Sequence, residues 1–190
     1  MAPQAGVRAN TLQEPMSKLE VKYIPRQGEM EHIFLVVAPQ IQISAQAKKI
    51  WFGDERKLIN CIITPTSIRT RESEKVPKRP YLAMSLGVAS RNSPRECADW
   101  FENVREEYPA TVEETVWFAL HYWEALFRDD LDGILCLGSE VVSPAGYVYP
   151  WWPYLYVSEK TGQLTLNAKH KMHGDVPGKW IAPGCRSRLA

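Results

Sequence analysis

Two helix-start signals constrain this chain more than any other feature. Ser93-Pro94-Arg95-Glu96 sets an N-cap serine before a proline and a glutamate at the third helical position, and Thr111-Val112-Glu113-Glu114 repeats the hydroxyl-to-glutamate spacing. In such a box the hydroxyl accepts from the backbone N–H of the glutamate, and the carboxylate accepts from the cap residue, so two orphan donors are satisfied. Behind the first box Cys97, Trp100, Phe101, Val104 and Tyr108 form one apolar stripe that stops at Pro109. Behind the second, Val112, Val116, Ala119, Leu120, Trp123, Leu126 and Phe127 share a face that ends near Arg128. The spacing predicts consecutive helices near 94–108 and 112–128.

The remaining chain alternates with the period of strands. Leu19 to Tyr23 and His32 to Ala38, joined by a turn at Pro25 to Gly28, predict one strand pair; residues 40–44, Ile50 to Phe52 and Leu58 to Thr64 predict more. Tyr81 to Ala89 and Gly133 to Val142 read as further strands. Tyr154 to Val157 and Gln163 to Leu166 read as a hairpin. The expected fold class is α+β: a mainly antiparallel sheet with the two helices packed on one face. Residues 1–17 read as a flexible N-terminal tail. Residues 18–190 read as a single domain ending in an irregular basic tail over about 168–190, with Trp180 pinning that tail to the body.

Composition enters mainly through what it excludes. The chain has 190 residues, 45% of them hydrophobic and 24% charged, which suits a folded domain rather than a disordered one. Apolar runs fall short of a membrane span, and the N-terminus lacks the apolar core of a secretory signal, so no membrane partner is expected. Four widely spaced cysteines fit reduced thiols and a cytoplasmic location. The net charge of +1 hides segregation, because residues 48–95 carry a net +7, residues 96–140 a net −10 and residues 159–190 a net +4.

The densest constellation is Tyr147-Val148-Tyr149-Pro150-Trp151-Trp152-Pro153-Tyr154-Leu155-Tyr156, which holds six of the twenty aromatic residues. Flat rings beside prolines suit a stacking platform, whereas the plain alternative is a strand whose aromatics pack on the helices. Because Pro150 and Pro153 cannot donate to a ladder, at least one neighbouring tryptophan is expected at a sheet edge or bulge. The leading expectation is a non-catalytic binding module that presents Tyr149, Trp151, Trp152 and Tyr154 to a macromolecular partner, most simply a protein. Arg69, Arg71, Lys78 and Arg79 in the basic loop 69–79 form the secondary contact.

Two alternatives belong to other classes. Nucleic-acid binding would use the basic loop with the basic C-terminal tail, provided that they share one face. A small hydrolase or transferase would use His121 with Glu124, or the region of His170 and His173.

Other signals are weak. His170, His173, Asp175 and Cys185 are ligand types without diagnostic zinc spacing, and Asp129, Asp130 and Asp132 lack the calcium-loop pattern, so neither metal nor cofactor is expected. Ser139, Cys97 and Cys136 are nucleophiles by residue type alone. Gly174 to Trp180 departs from a phosphate loop in glycine spacing and in having Trp180 where a Ser or Thr belongs.

Overall fold

The computed structural model describes residues 32–36, 60–61, 68–71, 76–78, 81–85, 88–103, 107–126, 131–160, 164–185 and 187–189. The expected tail 1–17, the strands before His32 and over 40–44 and 50–52, Arg79, and Phe127 to Asp130 lie outside the described residues.

Both capping boxes form, and each starts a helix. In α1 (Pro94–Asn103) the Glu96 N–H donates to Ser93 Oγ at 3.3 Å, while the Glu96 carboxylate accepts from Asn92 N at 3.2 Å. The return bond thus reaches one residue beyond the cap. In α2 (Val112–Leu126) the box closes reciprocally: Glu114 N–H donates to Thr111 Oγ1 at 3.2 Å, and Thr111 N–H donates to Glu114 Oε2 at 2.8 Å. Tyr108, expected to close the first helix, instead begins a short strand.

Twelve strands occur among the described residues. They are β1 (His32–Val36), β2 (Asn60–Cys61), β3 (Ile68–Thr70), β4 (Tyr81–Ser85), β5 (Val88–Arg91), β6 (Tyr108–Pro109), β7 (Gly133–Leu135), β8 (Ser139–Val141), β9 (Trp151–Val157), β10 (Leu164–His170), β11 (Trp180–Cys185) and β12 (Ser187–Leu189). The large sheet runs β2-β10-β9-β7-β11-β5, with β6 alongside β11. Pairing is antiparallel except where β2 meets β10 and β7 meets β11. A second sheet runs β1-β4-β12, and β3 pairs with β8. The class is α+β.

Strand periodicity decides where each helix sits. Ile134, Leu155 and Ile181 join Val112, Val116 and Ala119 of α2 in one core cluster, whereas Leu135, Trp152, Trp180 and Ala182 join Cys97 of α1 in another. Successive side chains of a strand point to opposite faces, so the helices cover opposite faces of the large sheet instead of sharing one. The helix α2 also packs on β1 of the second sheet, so it lies between two sheets. That burial extends round the helix: Glu114, Thr115, Trp117 and Phe118 are buried together with Val112, Val116 and Ala119.

The stretch expected as an irregular tail contains one of the most buried strands. Every residue of β11 is buried, despite Pro183 and Gly184. One side of β11 pairs with β7 at Trp180 and Ile181 and with β6 at Gly184 and Cys185. Pro183 falls in the gap between those two ladders, where its missing N–H breaks no bond, while its carbonyl accepts from Ala110 N at 2.9 Å. Tail-like composition therefore concealed an interior strand.

The expected strand Gly133 to Val142 is interrupted at Gly138. A Cβ there would overlap the Pro109 carbonyl oxygen and lie 2.8 Å from the Ala110 carbonyl. Only a glycine admits that approach, and its N–H donates to Ala110 O at 2.9 Å.

Candidate functional site

The aromatic segment enters as a hairpin and continues as a central strand. Val142 bridges Val148 around Ser143-Pro144-Ala145-Gly146, with Gly146 at a φ of 86°. The Gly146 N–H donates to Ser143 O at 2.9 Å, and the Ser143 hydroxyl accepts from Tyr147 N at 3.0 Å. This turn chemistry holds Tyr147, Val148 and Tyr149 outward, with exposures of 77%, 48% and 40%. Tyr149 stacks on half-buried Trp151, their ring centroids 5.1 Å apart and their planes 20° from parallel.

Alternation then divides the strand. Trp152, Tyr154 and Tyr156 take the face that α1 partly covers, and Leu155 takes the α2 face. Trp152 is 6% exposed and Trp151 and Tyr154 are half-buried, so of the four aromatic residues expected to bind, Tyr149 is the exposed one. Although β9 as a whole has a neighbour on each side, Trp151 and Trp152 pair with β10 alone. Pro153 is tolerated because β7 pairs only with Tyr154 and Leu155; past that ladder the Pro153 carbonyl accepts from Cys136 N at 2.9 Å.

Across the α1 face the registers are Trp152 with Lys169, Tyr154 with Asn167, and Tyr156 with Thr165. Lys169 Nζ lies 4.5 Å from the centre of the Trp180 ring, and Lys171 Nζ lies 5.7 Å from that of Trp152, both within cation–π range. Tyr154 meets Trp180 edge-on and Tyr156 in a tilted contact, each at 5.5 Å between centroids. Burial raises the Tyr154 hydroxyl above its ordinary pKa, Tyr156 acts in the same direction, and a hydrogen bond with the Asn167 side chain opposes both.

The basic residues come from β3 and the residue that follows it, and β8 supplies the carboxylate between them. Arg69 belongs to β3, not to a loop, and stands opposite Glu140 in register. Arg69 Nη2 donates to Glu140 Oε2 at 2.8 Å, and Arg71 Nε sits 3.2 Å from Oε1, so one carboxylate serves two exposed guanidinium groups. A third cation adjoins them. Burial holds Lys171 below the ordinary lysine pKa, with Arg71 adding to the effect and Glu140 and Glu102 opposing it. The aromatic strand and Arg71 therefore meet at Lys171, although they are far apart in sequence. Lys78 is exposed.

The 3-10 turn Lys171–His173 continues from β10 and is fastened to α1. Arg95 Nε bonds Asp175 Oδ1 at 2.7 Å, its Nη2 donates to Lys171 O at 3.2 Å, and Arg95 N donates to Gly174 O at 3.0 Å. Gly174 lies flat on Trp152, where a Cβ would come within 2.8 Å of the ring.

The other candidates resolve mostly into structural contacts. The His170 and His173 rings are 6.1 Å apart, and His170 Nδ1 accepts from Met172 N at 3.1 Å. Among the described residues no group of three or more His, Cys, Asp or Glu side chains is placed to hold a metal ion. Asp132 ties β7 to β11, its Oδ2 accepting from Lys179 N at 2.7 Å. Gly178 N donates to Asn92 O at 2.7 Å, so the segment resembling a phosphate loop links chain to chain. Ser139 Oγ accepts from Val112 N at 3.0 Å and thereby serves the start of α2. Cys97, Cys136 and Cys185 are buried free thiols, and burial pushes Cys136 up to about 12, far from the thiolate a nucleophile needs. The side chains of His121 and Glu124 lie outside the described residues.

One cluster was missed in the sequence. Glu114, fully buried, accepts from Tyr81 Oη at 2.7 Å, from Arg188 Nε at 2.6 Å and Nη2 at 3.1 Å, and from Thr111 N. The only available signal was Glu114 as a capping residue; nothing in the sequence connects it to Tyr81 or Arg188. Among the described residues no helix is long and apolar enough to cross a membrane. Compared with protein-family models, curated proteins and solved structures, the chain finds no match.

Proposed function

We propose that this protein is a non-catalytic binding module that presents the aromatic surface of residues 147–156 to a macromolecular partner in a reducing, cytoplasmic setting. The observation that carries the proposal is the outward display of Tyr147, Val148 and Tyr149 on a hairpin held by backbone and serine hydrogen bonds. Large apolar side chains held in the open are costly to solvate, and tyrosines so placed supply contact area with little entropy to lose on binding. Met172, 79% exposed, adds apolar surface next to Lys171, whose N–H donates to Pro150 O at 2.8 Å. The Cys97, Cys136 and Cys185 free thiols support the reducing setting. Against the hydrolase alternative at the His170 and His173 region stands His170 Nδ1, which already accepts from Met172 N at 3.1 Å.

The test is a pull-down, analysed for both protein and nucleic acid, that compares the natural chain with Tyr147→Ser/Tyr149→Ser. Both positions are exposed, so the variant should keep the natural melting temperature while losing the captured partner. Equal partner recovery by the two proteins would refute the proposal.

A further inference from the structure

The half of the α1 face that lies beyond the helix combines rings and cations in one register. Alternate positions of β9 bring Trp152, Tyr154 and Tyr156 to this face, and the α1 cluster extends along them only to Tyr154. Tyr154 and Tyr156 are half-buried, in contrast to Leu155, Leu164 and Leu166, which are fully buried within the opposite face. Alternate residues of a strand are separated by about 6.6 Å, a spacing that lets an extended chain lay successive flat groups on successive rings.

Among the described residues the charges alongside are unbalanced. Arg69 and Arg71 share the Glu140 carboxylate, and Arg71, Glu140 and Glu102 are near enough to act electrostatically on Lys171. Lys169 stands one strand over, on the face of Trp180. Like charges held together with partial compensation favour an anion that offers several negative groups along its length.

We propose that this face binds single-stranded nucleic acid, its bases on Tyr154 and Tyr156 and its phosphates toward Lys169, Lys171 and Arg71. The proposal rests on the preceding assignment of segment 147–156 as a binding surface and names the class of partner. Unpaired bases expose the π-faces that such rings need, whereas a duplex hides them in its stack. The Asn167 side chain, opposite Tyr154, hydrogen-bonds that tyrosine and accepts from Ala168 N, so it orients the ring. An acidic protein segment would satisfy the cations and leave the rings unused.

The experiment titrates the full-length protein into a fluorescent thymidine oligomer of roughly 12 nucleotides, long enough to cover the strip. Binding should quench tryptophan emission, since Trp152 and Trp180 lie beneath the lysines. With three cations engaged, affinity should fall about twentyfold between about 50 and about 200 mM salt. Lys169→Gln/Lys171→Gln should reduce that salt dependence to about a third, and Tyr156→Ala should weaken binding about tenfold at unchanged salt dependence. A duplex of the same sequence should bind more weakly than the single strand. Absence of binding at low salt, or displacement of the oligomer by polyglutamate as readily as by unlabelled oligomer, would overturn the proposal. If a variant unfolds, the salt response of the natural chain and its preference over duplex decide the matter. Failure here alongside a protein partner that still depends on Tyr147 and Tyr149 removes this inference alone; failure of both removes the binding surface as well.

Discussion

Two glutamates each gather several partners, in opposite surroundings. Glu114 is fully buried and receives four hydrogen bonds, from Tyr81, from both arms of the Arg188 guanidinium fork and from the Thr111 backbone. Its oxygens are saturated, and the elements it joins are α2, β4 and β12. Glu140 lies near the surface with Arg69 and Arg71 on its oxygens and Lys171 within electrostatic reach, so among the described residues cations outnumber the carboxylate there. A saturated buried charge acts as a lock, because losing any partner strands it in a medium that solvates it poorly. A surplus of partly solvated cations costs little and remains available to an incoming anion.

Three measurements would break or sharpen this contrast. Arg188→Ala should have the largest effect: it strands the Glu114 carboxylate and should lower unfolding stability by about 3–5 kcal/mol in urea denaturation. A loss under about 1 kcal/mol would mean that water reaches the cluster and that it is no lock.

Alkaline pH should act on the same cluster with a smaller effect. Burial, with the Glu114 charge next, raises the Cys185 thiol well above its ordinary 9.0. The unfolded chain therefore loses this proton first, so the thiol's contribution is whole below pH 9 and declines as pH climbs toward the folded-state value. Urea midpoints should fall above pH 9, and Cys185→Ala should flatten that decline. An identical slope in the variant would assign the decline to other groups, Tyr81 among them, whose hydroxyl is also raised by burial first and by Glu114 next.

The smallest stability effect is expected at Glu140. With Arg69 and Arg71 both substantially exposed, Glu140→Gln should shift stability by less than about 1 kcal/mol. It should at the same time tighten oligonucleotide binding, because the carboxylate that competes with phosphate for Arg71 is gone. Weaker binding in this variant would show that Glu140 orients the arginines and does not compete for them.

Residue by residue, legibility followed the range of the interaction. The Ser93 and Thr111 caps could be read directly because their partners lie three positions away, inside the same turn. The hairpin at Gly146 and the pairing of β9 with β10 are comparably local, as turn chemistry and alternation specify both. Tyr108 was misplaced because its spacing suits a helix while its backbone pairs with Cys185, a partner invisible to any local pattern. In the site, the sequence marked Trp151, Trp152 and Arg71, but it could not separate half-buried Trp151 from buried Trp152. Nor could it bring Arg71 to Lys171.

What the sequence determined by itself is thus the α+β class, the starts of both helices and the aromatic strand, all set by hydrogen bonds and periodicities a few residues long. Tertiary structure alone placed the helices on opposite faces, made a Pro- and Gly-bearing stretch into an interior strand, and buried Glu114 with Arg188. The physical reason is that face, depth and charge pairing depend on which segments meet. That meeting is decided by the packing of the whole chain, where a residue such as Pro183 is tolerated only because two neighbouring ladders leave a gap for it.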